Sequence, residues 1–145
     1  MIRAATAAGL ALALVVGAAR AEDSRPLRAI SLDQCGDQYA LALAPHAQLA
    51  LSPRADDPDS WMRQVAEGRR RIRPTLEAAV GFQPDVVLRY WGGDARLLAR
   101  LERAGTRVVT IEDAADFDGI RRNIRAAAEA VGAPARGEAL IVRMD

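Results

Sequence analysis

Residues 84–111, PDVVLRYWGGDARLLARLERAGTRVVTI, decide the architecture. Val86-Val87-Leu88 is a short apolar run entered through the turn pair Pro84-Asp85, and it reads as a buried strand. Gly92-Gly93-Asp94 follows, with Asp94 placed to cap a helix whose Leu97, Leu98 and Leu101 share one face. Gly105 stands where a helix closes on a left-handed residue, and Arg107 to Ile111 reads as the next strand. Strand, helix and strand joined by short turns make a parallel β-α-β unit.

The same grammar extends outward. Arg28 to Leu32 predicts a strand that ends in the polar turn Asp33-Gln34-Cys35-Gly36, before a helix with Tyr39, Leu41 and Leu43 that Pro45 stops. Gln48 to Leu51 is a second strand. Arg54 to Arg73 is polar and reads as a loop with one helical stretch from Trp61 to Glu67; its Arg69-Arg70-Arg71 run and Arg73 are expected to face water. Thr75 caps a short helix through Val80, with Leu76, Ala79 and Val80 inward. Beyond Ile111, Phe117, Ile120, Ile124 and Val131 line an amphipathic helix closed by Gly132 and Pro134, with Arg121, Arg122 and Arg125 toward solvent. Glu138 to Asp145 opens a last helix with Leu140, Ile141 and Met144 on one face. No closing residue follows, so this helix is expected to fray and its apolar face to self-associate. The fold class is therefore α/β, a mostly parallel sheet flanked by helices. Ligands of such sheets sit at the carboxyl ends of the strands, which singles out Asp33–Gly36, Arg89–Asp94 and Glu112–Asp116.

Composition narrows the function. The 145 residues are 50% hydrophobic and carry 20 Arg against 19 acidic groups, so a strongly basic nucleic-acid binder is excluded on bulk charge. One Cys and one His exclude an internal disulfide and a zinc site made of Cys and His alone. No spacing of carboxylates suggests a bare metal site, and no cofactor motif is present. Gly92-Gly93-Asp94 lacks the spacing of a dinucleotide loop, and Asp94 would repel phosphate.

The amino terminus reads as an address. Arg3 precedes a charge-free run from Ala4 to Ala19, and Ala19-Arg20-Ala21 then meets the acidic Glu22-Asp23, the pattern of a cleaved secretory signal peptide. The run is shorter than the ~20 residues of a membrane span. Cleavage is expected after Ala21, so the mature chain reads as exported.

Beyond these patterns, Glu77-Ala-Ala-Val-Gly-Phe-Gln-Pro84-Asp85-Val-Val-Leu88 with Tyr90-Trp91-Gly92-Gly93-Asp94 resembles the periplasmic substrate-binding proteins of ABC importers for cobalamin and ferric chelates (siderophore or haem). Ile30-Ser31-Leu32, Leu49-Ala50-Leu51-Ser52-Pro53, Ala104 to Val109 and Ile120 to Gly132 are similar to further strands and helices of that family. The resemblance implies a signal peptide at 1–21, an N-terminal α/β lobe at 22–132, and at 133–145 the start of an interlobe helix, leaving the second lobe of an incomplete chain unaccounted for. It implies a non-enzymatic role, capture of an iron chelate, haem or cobalamin and delivery to the permease in the inner membrane. It also places Asp33, Gln34 and Cys35 in the ligand cleft and makes Glu77 the permease-docking residue.

The residues themselves offer further candidates. Tyr90 and Trp91 follow a buried strand and can stack on a planar chelate, Arg89 can pair with an anionic group, and Trp61 can flank the ligand. Cys35 is expected to be a buried or half-buried inert thiol. The competing classes are a secreted α/β hydrolase using Cys35 or Ser31, for which no base or oxyanion glycines are evident, and a truncated lobe with no independent function.

Overall fold

A computed structural model describes residues 25–145. The signal peptide assigned to 1–21 lies outside the described residues. In chain order the elements are β1 (Arg28–Ser31), α1 (Gln34–Leu43), β2 (Gln48–Leu51), α2 (Arg63–Ala66), β3 (Arg70–Arg71), α3 (Leu76–Phe82), β4 (Val86–Arg89), α4 (Ala95–Arg103), β5 (Arg107–Thr110), α5 (Phe117–Ala130) and α6 (Pro134–Met144). The five strands form one sheet in the order β3-β2-β1-β4-β5, every pair parallel.

Alternation along the strands builds two cores. Ala29, Leu49, Leu51, Val86, Leu88 and Val109 face one layer, completed by Leu41 and Leu43 of α1, Ile124 and Ala127 of α5, and Ile141 of α6. Ile30, Ala50 and Val87 face the other, where Ala79 and Phe82 of α3 and Leu97 and Leu101 of α4 meet them. Helices thus cover both faces, as buried parallel strands require. Thr75, Asp94 and Asp116 cap α3, α4 and α5 by accepting from Ala78, Leu97 and Gly119.

Three expectations are corrected. Arg69, Arg70 and Arg73 are exposed as expected, but Arg70 and Arg71 are not loop: they form the edge strand β3 on β2. Arg70 also lies over the Phe82 ring at 5.2 Å, and Arg71 pairs with Asp56 at 2.8 Å. A two-residue basic strand has no periodicity to reveal it; pairing to β2 creates it, and its charge guards the edge. Phe117 opens α5 but is 63% exposed and belongs to neither core. The last helix is held down rather than open. Ile141 is buried, Leu140 and Met144 pack on the core, and the Arg125–Glu138 ion pair at 2.7 Å ties α5 to α6. A Cβ on Gly137 would come within 2.6 Å of the Ala128 methyl, so this glycine sets the closeness of the two helices.

Candidate functional site

β1 and β4 are neighbours, yet their chains leave in opposite directions. β1 continues through α1 to β2, and β4 through α4 to β5. Their carboxyl ends therefore open a crevice, the usual ligand position of such sheets. Asp33 spans it. Its Oδ1 accepts the N–H of Gly36 at 2.9 Å and so caps α1. Its Oδ2 accepts the N–H groups of Tyr90, Trp91 and Gly92 at 2.7, 3.0 and 2.8 Å. Asp33 is buried, so these bonds occupy a carboxylate that sequence reasoning aimed at a ligand. It builds the cleft wall instead. Gly92 belongs to the same construction, since a Cβ there would lie 2.3 Å from the Leu32 carbonyl oxygen.

The turn held by Asp33 carries the aromatic pair. Trp91 is 60% exposed, and Tyr90 is half-buried with its hydroxyl donating to Asp113 Oδ1 at 2.5 Å. That carboxylate raises the Tyr90 pKa. Arg89 is turned into the lobe: its Nε donates to the Gly92 carbonyl at 2.6 Å and its Nη1 to Thr110 Oγ1 at 3.2 Å. An arginine so engaged shapes the turn more readily than it greets an anion.

Between α1 and α5 runs an open groove of about 330 Å³, lined by Cys35, Tyr39, Tyr90, Asp113 and Asn123 among others. Cys35 is exposed on its wall, not buried or half-buried as the sequence suggested, because Gly36 and Asp37 take the inward positions of the first turn of α1. Partial desolvation, then the nearby carboxylates of Asp33, Asp113 and Asp37, push its thiol pKa up. Such a thiol is poorly ionised and a weak nucleophile. Ser31 is fully buried with its hydroxyl donating to the Asp33 carbonyl at 2.9 Å, and His46 follows the far end of α1. The groups of the hydrolase alternative are thus not assembled.

Trp61 stands 96% exposed on the segment after β2, at the same edge of the sheet. Gln34 ties that segment to α1 by donating to Asp59 Oδ1 at 2.8 Å. Glu77 is exposed in the first turn of α3, whose amino end also lies at the carboxyl edge.

Two positioning residues escaped the sequence reading. Asn123 exchanges hydrogen bonds with the backbone of Glu112 at 3.1 and 2.8 Å and fixes the floor of the groove. Asp37, fully buried, accepts from the Ser52 N–H at 2.8 Å and the Ser52 hydroxyl at 2.6 Å. Burial raises its pKa despite these bonds. A polar residue at an inward helical position was the available signal for both.

No family model matches the chain, and no curated protein sequence matches it significantly. Solved structures do match its fold. A periplasmic haem-binding protein from Pseudomonas aeruginosa superposes with a TM-score of 0.61 at 22% identity, covering 83% of this chain and 43% of that one. The periplasmic haem-binding protein BhuT, solved with two haems, gives 0.64 at 24% identity, over 80% of this chain and 45% of the other. The periplasmic vitamin B12-binding protein BtuF of Vibrio cholerae gives 0.58 at 24%, over 80% and 46%. The chain spans less than half the length of each of these relatives. Its described residues carry the α/β fold of one lobe of a periplasmic binding protein.

Proposed function

We propose that this chain supplies the ligand-capturing N-terminal lobe of a substrate-binding component of an ABC-type importer, working in the periplasm on an iron chelate, haem or a cobalamin-like corrinoid. The observation that carries this reading is the Tyr90–Trp91 pair, held at the switch point of a lobe-type sheet by the buried Asp33. A partly exposed π surface on fixed backbone suits a flat macrocycle. Two of the similar structures are described as haem-binding and one as B12-binding, which supports the ligand class.

Charge ranks the ligands. Glu112 and Asp113 line the groove while the Arg89 guanidinium is engaged inside the lobe. This wall favours the neutral, amide-bearing rim of a corrinoid over the carboxylates of haem or an anionic ferric siderophore. Capture is non-enzymatic and needs no bond chemistry. Glu77, exposed at the same edge, is the residue that engages the importer permease, and residues 133–145 begin the helix that joins a second lobe.

Calorimetric titration with cyanocobalamin, haemin and a ferric siderophore tests the reading. Binding of at least one of them, weakened by Trp91→Ala, supports capture. No binding, either by the chain or by a version joined to a second lobe, rejects it. Sequencing of protein recovered from the periplasm should begin at Glu22; recovery of uncleaved chain in membranes would reject export.

A further inference from the structure

Trp61 is nearly as exposed as an isolated residue, yet the backbone on both sides of it is tied down by one side chain. Gln38, one turn into α1, donates from Nε2 to Ser60 Oγ at 2.7 Å. Its Oε1 accepts the N–H of Met62 at 3.1 Å. Ser60 is buried and Met62 half-buried against the core, so the residue between them is turned outward. The carboxamide uses donor and acceptor together, which locks a long side chain that would otherwise keep its rotamer freedom. The same segment is fastened again by Gln34 to Asp59, and its start by Asp37 to Ser52. Asp33, at the cap of the same helix, holds the turn that carries Trp91. Two exposed indoles therefore hang from two points of one rigid helix.

We propose that Gln38 is a positioning residue of the capture site, presenting Trp61 as a second aromatic wall whose spacing from Trp91 is set by α1. Large aromatics on fixed backbone are the usual anchors of recognition surfaces, and a site held by its supporting shell loses affinity when that shell loosens. The inference rests on the capture reading above and adds a residue and an indole to it.

The test has two arms. In a Trp91→Phe background Trp61 is the sole tryptophan, and its time-resolved anisotropy reports segmental motion. Gln38→Ala should introduce a fast depolarising component absent from the parent. With Trp91 intact, Gln38→Ala should weaken binding of cyanocobalamin or haemin, whichever the parent binds, at least fivefold. Gln38→Glu should restore both readouts, since its carboxylate accepts from the Met62 N–H and from the Ser60 hydroxyl. Should Gln38→Ala fail to fold, Trp61→Ala replaces it in the binding arm, because a side chain this exposed does not support the core. Unchanged anisotropy overturns the proposal, as does unchanged affinity in Gln38→Ala or Trp61→Ala while the parent binds. Absence of binding to cyanocobalamin, haemin and a ferric siderophore, both by the parent and by a version joined to a second lobe, overturns the capture reading itself, and the proposal with it.

Discussion

The carboxylate of Asp33 accepts the backbone N–H of Tyr90 at 2.7 Å across 57 positions of sequence. With Trp91 and Gly92 on the same oxygen, this bond joins the end of β1 to the turn after β4 and so makes one wall out of two loops. Several N–H groups converging on one buried carboxylate oxygen leave little freedom in the turn, and an N–H without its acceptor there costs about 1–3 kcal/mol.

Asp33→Ser keeps a capping oxygen for Gly36 but cannot reach the three N–H groups of the turn. Amide exchange at Tyr90, Trp91 and Gly92 should accelerate strongly, with the strand amides of Val87 and Leu88 little changed. Uniform acceleration across the sheet would mean that Asp33 only stabilises the fold. Asp33→Ala should lose about 1 kcal/mol more through the missing cap.

Gly92 and Gly105 separate two reasons for glycine. A Cβ at Gly92 would meet the Leu32 carbonyl at 2.3 Å, so Gly92→Ala should cost about 2–3 kcal/mol and displace the aromatic turn. Gly105 has a φ of 87° but open space around it, and Gly105→Ala should cost about 1 kcal/mol by backbone strain alone. Urea unfolding of both variants checks the order, and equal losses would contradict it.

Asp37 governs a pH dependence. Burial raises its pKa in the folded state, so the fold holds this proton more tightly than the unfolded chain does. Its contribution to stability is full below the ordinary carboxylate pKa and declines as pH rises through the folded value. Asn cannot titrate. The stability of the parent relative to Asp37→Asn should therefore be greatest near pH 4 and fall toward pH 7, as read by denaturant unfolding across that range. A difference that grows with pH would show that the Ser52 bonds outweigh burial.

A ligand held between two lobes draws its contacts from both, and a tight site covers about 70–90% of the ligand's surface. If a two-lobed protein binds at about 10 nM, retaining half of that free energy leaves a dissociation constant of about 0.1 mM for this chain alone. Calorimetry showing submicromolar binding by residues 22–145 would contradict this.

In a two-lobed protein, Glu77→Arg should impair uptake and leave ligand affinity unchanged, because Glu77 lies on α3 and not on the turn held by Asp33. Paired transport and binding assays decide it. Lost binding would place Glu77 in the ligand site.

What sequence determines by itself here is whatever local physics writes. Val86-Val87-Leu88 between turn residues, the Leu97–Leu101 stripe behind its Asp94 cap, and Gly105 and Gly132 at helix ends announce their elements without the rest of the chain. Alternation of strand and helix then limits the sheet to a parallel one, and its carboxyl edge to three named turns. What only the tertiary structure decides depends on partners distant in the chain. Arg70-Arg71 becomes a strand because β2 offers it an open edge. Asp33 becomes a brace because β4 pairs beside β1, and Arg89 is engaged because its turn folds back on it. Cys35 faces the groove and Trp61 the solvent because α1 and its side chains set where their backbones go. A polar side chain carries the same letters whether it meets a ligand or a backbone N–H; only long-range pairing fixes which of them lies within hydrogen-bonding distance.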